Sequence, residues 1–284
     1  MTTVDYAAAP KKRKRGPRGR HRYAPHKHRL GPVTVAKHCL TLCGRNLLHL
    51  KSNPGEIMGF AVVQPLMMIA LLVYVFGGAI SGDTGTYLQF ALPGLIVQSS
   101  VFAVLATGSG LNQDITNGVF DRLRSLPIAR IAPLVGHMLG TLVRVATGLV
   151  TLLIIGALQG FKVKTGIPQA AGGLLLALVF GSGLAWLSML VGLVSRSAAT
   201  VYLFSGVLLF PLTFGSNVYV QTTTMPGWLQ AWADVNPVSH ATTALRALVS
   251  GGPLGDSVWL TLAWTAGMTL VFAPLAIRAY RRQV

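Results

Sequence analysis

Acidic residues are scarce. Seven Asp and Glu are spread thinly through 284 residues, and all charged residues together make up only 11% of the chain. A soluble domain of this length would be about a quarter charged. The acidic residues form no carboxylate pair in a plausible pocket, and no apolar run carries Asp, Glu or Lys near its centre, which argues against proton- or sodium-coupled chemistry. Cysteine is limited to Cys39 and Cys43, enough for one disulfide at most and too few for a cysteine-only zinc site. At i,i+4 spacing the two read as small packing residues on one helix face. Four of the seven histidines (His21, His26, His28, His38) lie in the basic N-terminal region, and His49, His137 and His240 are isolated from one another, so no metal site is expected. There is no HExxH, no GxSxG and no phosphate-binding GxxxxGK[ST]; the nearest stretch, Gly160 to Gly166 (GFKVKTG), lacks the glycine before lysine. No cleavable signal peptide is expected, because the first apolar run begins too late.

What is present is hydrophobic. Such residues make up 52% of the chain, and the mean hydropathy is +0.57. Runs of about 20 apolar residues indicate an all-α polytopic membrane protein. Six transmembrane helices are expected: about 57–80, 88–111, a third beginning between Leu134 and Arg144 and ending near Leu158, then about 172–194, 200–214 and 258–277. A charge at the bilayer centre is costly, so Arg144 is expected near an interface, with the third span starting close to Leu142 and 131–140 as an amphipathic lead-in. Gly181 and Gly183 suggest close helix packing.

Residues 1–30 are rich in Arg, Lys, Pro and Gly and cannot bury a core, so they read as a disordered tail, with 31–284 as the membrane domain. Anionic lipid attracts such a tail by about 1 kcal/mol per charge; nucleic-acid binding or nuclear localisation accounts for the same residues. Residues 33–51 pattern as an interfacial helix, broken at Asn53-Pro54. With the N-terminus inside, 21 of the 24 Lys and Arg face the cytosol, leaving Lys162, Lys164 and Arg246 outside. Both termini are therefore expected to be cytoplasmic.

The longest polar interruption runs from Asn112 to Arg130. Thr116 or Asn117 is expected to cap a short helix there, Val119, Leu123 and Leu126 form its apolar face, and Pro127 ends it. It is either a surface on which a soluble partner pushes or a simple connector. The long segment 216–256 carries Trp228 and Trp232 at i,i+4 and a break at Asn236-Pro237. Two short helices would set the tryptophans at the membrane boundary, the alternative being an ordinary surface loop. Polar side chains within spans, Gln64, Gln98, Ser99, Ser100, Thr147, Ser182 and Ser188, either line a path or bond helix to helix.

Three stretches carry a family resemblance. NLLHLKSNPGEIMGFAVVQPLMMIALLVYVFGGAI, GVFDRLRSLPIARIAPLVGHMLGTLVR and MPGWLQAWADVNPVSHATTALRALVSGG occur in that order and resemble type-2 ABC exporter permeases, with those of the daunorubicin-resistance subgroup most similar. The resemblance implies a coupling helix at 117–126, in which Asn117, Phe120, Asp121, Arg122, Arg124 and Leu126 meet an ATPase. It also implies that Pro226, Trp228, Asn236, Pro237 and Arg246 are motif positions of the outer loop. It implies a bacterial plasma-membrane permease that pairs with a second permease chain, as homodimer or heterodimer, and with nucleotide-binding subunits holding ATP and Mg. This chain would hold no cofactor and hydrolyse nothing. ATP-driven export of a hydrophobic or amphipathic cargo, a drug-like metabolite or a lipid, is the expected function. A membrane-anchored scaffold with a lipid- or nucleic-acid-binding tail and a self-sufficient secondary carrier are the alternatives.

Overall fold

The structure, a computed structural model, describes residues 63–119 and 131–283. The tail, the interfacial segment and Phe120 to Arg130 lie outside them. The described residues form α1 (Gln64–Ser81), α2 (Thr84–Thr116), α3 (Ala132–Leu158), α4 (Ile167–Val194), α5 (Ala198–Phe214), α6 (Gly227–Val235), α7 (Pro237–Ser250) and α8 (Ser257–Gln283), with no strand among them. Five of these, α1, α2, α3, α4 and α8, are long and apolar enough to cross a membrane. The fifth expected span, α5, has 17 residues and falls short of that length.

Local chemistry sets the ends. Asp83 caps α2 by accepting from the Thr86 amide at 2.7 Å and the Thr86 hydroxyl at 3.0 Å. These bonds, the amide's first, hold the Asp83 carboxyl below the usual carboxylate range. Gly82, at φ +72°, reverses the chain between α1 and α2. Ser197 caps α5 through the Thr200 amide at 3.2 Å. Pro168 and Pro237 open α4 and α7, where a missing N–H costs nothing. Within α1, Ala70–Phe76 widens into π-helical turns.

Helix α2 is the centre of the bundle: 72% of its most apolar window is buried, against 22% in α1 and α8. It packs against α3, α4, α5 and α7. Its crossing with α4 brings backbones together, because a Cβ on Gly192 would strike the Gly108 carbonyl and one on Gly108 would strike Ser188. Ser188 Oγ accepts from the Gly108 amide at 3.1 Å. Gly183 is tight but less so, with a Cβ there 3.0 Å from Thr265 of α8, whereas Gly181 makes ordinary contacts with Val145 and Ser100.

Two expectations are corrected. The helix of the second span does not end at Leu111 but continues to Thr116, with Asn117 as its C-cap, and the chain is helical again at Val119. Neighbours engage the polar residues there, while the Asn112 side-chain oxygen is buried without a partner among the described residues. Asn112 Nδ2 donates to the carbonyls of Gly192 (3.0 Å) and Ser195 (2.8 Å), and Asp114 meets His137 at 3.2 Å. The third span has no separate lead-in either. Helix α3 runs unbroken from Ala132, so Arg144 stands midway along it, half-buried and engaged by the protein.

Replacing Gly192 by leucine is expected to force α2 and α4 apart at a cost of about 1–3 kcal/mol. Thermal unfolding in detergent should show a lower midpoint. Gly110→Ala is the control, since a Cβ there meets nothing within 4 Å; equal stability of the two variants would refute the crossing.

Candidate functional site

The segment after α5 does not stay at the surface. A Cβ on Gly94 would lie 2.7 Å from the Val218 carbonyl, and Ser216 and Val218 are buried. Gly94 is ten residues into α2, roughly 15 Å from its start at 1.5 Å per residue. The turn Gly215–Gln221 is thus re-entrant, with irregular backbone enclosed by protein as lipid requires. Arg246 supports it from α7. Its Nε donates to the Phe90 carbonyl and its second terminal nitrogen to the Asn217 carbonyl, each at 3.1 Å, with the guanidinium 3.9 Å from the Phe90 ring centre. Tyr87 donates to the Tyr219 carbonyl at 2.9 Å, and Asn217 Nδ2 to Thr243 at 2.8 Å. A cation counted among outer-loop charges is therefore a structural donor to backbone.

The two short helices expected in this segment are α6 and α7, joined at Asn236. Asn236 caps α7 through the Val238 amide at 2.9 Å and donates to the Leu212 carbonyl at 2.7 Å, tying the end of α5 to the start of α7. Pro226 sets the start of α6 and Pro237 is the first residue of α7. Trp228 and Trp232 are exposed on α6, with the Trp232 ring edge against Gly215. Helix α7 is less peripheral than expected, since Val238, Ala241 and Leu245 are buried in the main core.

Below the re-entrant turn lies a half-open cleft whose own cavity volume is about 20 Å³. Gln64, Pro65 and Met68 of α1 line it, with Leu95, Gln98, Ser99 and Phe102 of α2 and Leu152 of α3. Gln98 is 2% exposed and donates to the Tyr219 hydroxyl, while its carbonyl oxygen has no partner among the described residues. Gln64 likewise makes no hydrogen bond among them. Both carboxamides line the cleft and can offer a hydrogen bond to a polar group there. Ser99 donates to the Ile96 carbonyl at 2.8 Å at the edge of the cleft. Ser100 is not brought to it; it is fully buried, donates to the same carbonyl at 3.2 Å, and faces Gly181. Thr147 and Ser182 bond within their own helices, whereas Ser188 joins α4 to α2 and the Thr107 and Thr141 hydroxyls, 2.7 Å apart, join α2 to α3.

Of the expected coupling residues, Phe120, Asp121, Arg122, Arg124 and Leu126 fall outside the described residues. Asn117 is exposed at the end of α2, followed by Gly118 at φ +67°.

A family model for the ABC-2 type transporter matches residues 37–249. The chain belongs to that family. It is 40% identical over 251 residues to the daunorubicin resistance ABC transporter permease protein DrrB1 of Streptomyces coeruleorubidus, an alignment spanning 88% of both chains. It is 27% identical over 228 residues to the probable doxorubicin resistance ABC transporter permease protein DrrC of Mycobacterium tuberculosis (strain CDC 1551 / Oshkosh), covering 78% of this chain and 80% of the relative. With the inner membrane transport permease YadH of Escherichia coli (strain K12), identity is 25% over 226 residues, 74% of this chain and 82% of the relative. The chain is thus a multi-pass permease subunit of an ABC exporter, with no catalytic role of its own. ATP hydrolysis belongs to a separate subunit, and the scaffold and secondary-carrier alternatives are set aside.

Sequence reading named Gln64, Gln98 and Ser99 but missed Phe90, Phe102, Asn217 and Tyr219. No local pattern marks them, because they are brought together only by the approach of Val218 to Gly94.

Removing the Arg246 side chain should release the re-entrant turn without unfolding the bundle. A cysteine at Val218, in a background lacking Cys39 and Cys43, is expected to react slowly with a maleimide. Adding Arg246→Ala should speed that reaction at least tenfold. An unchanged rate would show that the turn holds its place without the guanidinium.

Proposed function

We propose that the chain forms half of the translocation path of an ATP-driven exporter of hydrophobic or amphipathic molecules, drug-like metabolites or lipids. The observation that carries this reading is the cleft at Gln64, Gln98 and Ser99, where polar side chains from two helices stand in otherwise apolar walls. A cargo with an apolar body and a polar group satisfies both. The drug-resistance roles in the names of the relatives support the same cargo class.

In this reading α5 is the sixth crossing, short because the re-entrant turn completes its height, and both termini are cytoplasmic in a bacterial plasma membrane. A second permease copy or homologue completes the path, and two nucleotide-binding subunits hold ATP and Mg. Residues 117–126 dock on the ATPase, with Phe120 as the aromatic anchor and Arg122 and Arg124 supplying steering. The segment 33–51 lies in the interface, and the basic tail meets anionic lipid. Trp228 and Trp232 set α6 at the outer boundary.

Vesicles containing the purified permease–ATPase complex should move a fluorescent amphiphilic dye only with ATP, and Gln98→Leu should slow that movement severalfold. Dye movement driven by an ion gradient in the chain alone would overturn the proposal. For docking, Phe120→Ala is expected to cost about 2 kcal/mol of binding, so that less ATPase co-purifies and stimulated hydrolysis is lost. Arg122→Ala should be milder and its effect should shrink with salt. Full ATPase stoichiometry in Phe120→Ala would place coupling elsewhere. For orientation, single cysteines at Gly82 and Gly252 should react with an impermeant reagent outside intact cells, and one at Ser125 should not; outside labelling of Ser125 would invert the topology.

A further inference from the structure

Two buried asparagines hold the ends of α5. Asn112 of α2, 3% exposed, donates from Nδ2 to the Gly192 carbonyl at 3.0 Å and to the Ser195 carbonyl at 2.8 Å. Ser195 is the C-cap of α4, and two residues on Ser197 is the N-cap of α5. At the other end Asn236, 2% exposed, donates to the Leu212 carbonyl at 2.7 Å. The re-entrant turn begins three residues later, at Gly215. One carboxamide therefore grips the turn into α5, and another grips its last helical turn.

Packing alone does not select asparagine at 112. Around the end of α2 a second apolar cluster, separate from the main core, is formed by Leu111, Leu134, Met189, Leu193, Ala276 and Tyr280. These come from α2, α3, α4 and α8, and α5 adds no residue to the cluster. An apolar side chain of similar volume would avoid leaving Asn112 Oδ1 buried without a donor among the described residues, which is destabilising. What the carboxamide adds is a pair of bonds to carbonyls at the end of α4, where a helix has no partners of its own to offer. Asn112 also stands about one helical turn before Thr116, where α2 ends. A displacement of 117–126 thus reaches it through a single turn. From there the chain runs through Ser195 and the Ser197 cap into α5, and on to the buried turn residues Ser216 and Val218.

We infer that Asn112 is a positioning residue of the coupling step. It makes the end of α2 and the start of α5 move as one, so that a displacement of 117–126 on the ATPase is carried along α5 to the re-entrant turn over the cleft. Asn236 is the far anchor, handing the motion to the junction of α6 and α7. This rests on the reading of 117–126 as the ATPase-docking segment.

The test uses the full permease–ATPase complex in vesicles and follows the fluorescent amphiphilic dye moved per ATP hydrolysed. Asn112→Leu, which keeps the volume and removes the donors, should lower that ratio about fivefold or more, the scale of an ordinary coupling between two sites. Asn112→Ala, which cannot overpack, should act in the same direction and guards against a packing defect from leucine. Asn112→Gln, which restores a carboxamide, should recover part of the ratio. A residue that merely braces the fold would lower the thermal midpoint and reduce export and hydrolysis in proportion; an unchanged ratio in the Leu and Ala variants overturns the inference. Spin labels on cysteines at Gln113 and Ala199, both exposed, in a background lacking Cys39 and Cys43, read the link directly. Adding ATP and vanadate should leave their separation unchanged with Asn112 in place and shift it in Asn112→Leu. A separation that stays fixed in the variant shows that α2 and α5 move together without the carboxamide, which also overturns the inference. Wild-type coupling in Asn112→Leu, with ATPase lost from Phe120→Ala, overturns this inference alone. Full ATPase stoichiometry and stimulated turnover in Phe120→Ala overturn the docking reading with it.

Discussion

The approach of α2 to α4 at Gly108, Ser188 and Gly192 is the constraint on which the remaining architecture depends. In a lipid environment apolar side chains gain little by leaving the solvent, so helices associate through close backbone packing and hydrogen bonds. Small residues at this crossing bring the two backbones into direct contact, and Asn112 then ties the end of α4 to α2. With α4 fixed there, α8 settles against its Gly183 face and α7 against Gly173. The position of α7 in turn determines where Arg246 can reach. The re-entrant turn, and with it the roof of the cleft, stands where that guanidinium meets the carbonyls of Phe90 and Asn217.

The parts of this arrangement that were legible in the sequence are those written in local pattern. Apolar runs located the helices, Asn236-Pro237 marked the junction of α6 and α7, and the glycines of α4 pointed to close packing. Gln64, Gln98 and Ser99 stood out because polar side chains are conspicuous inside apolar runs. What was not legible depends on contacts between distant residues. Nothing local to Ser216–Val220 says that it descends to Gly94, since its composition suits a surface loop equally well. The polar end of α2 looked like the start of a separate polar stretch because its partners, the carbonyls of Gly192 and Ser195 and the His137 ring, lie beyond α2. The partner that engages Arg144 was likewise not legible, because such contacts come from the fold rather than the local pattern.

Arg246 shows how one side chain serves two demands. Backbone carbonyls at membrane depth need donors, and a guanidinium offers several in a fixed plane. The Phe90 ring beneath it contributes attraction from the π-face while shielding the charge from lipid. Lysine would supply a point charge with neither the planar fork nor the stacking surface.

The shortness of α5 has a further mechanical meaning. Seventeen residues rise about 25 Å, roughly 5 Å less than a typical hydrocarbon layer. The buried turn residues Ser216 and Val218 follow it directly, so the column that α5 begins is continued by protein rather than by lipid.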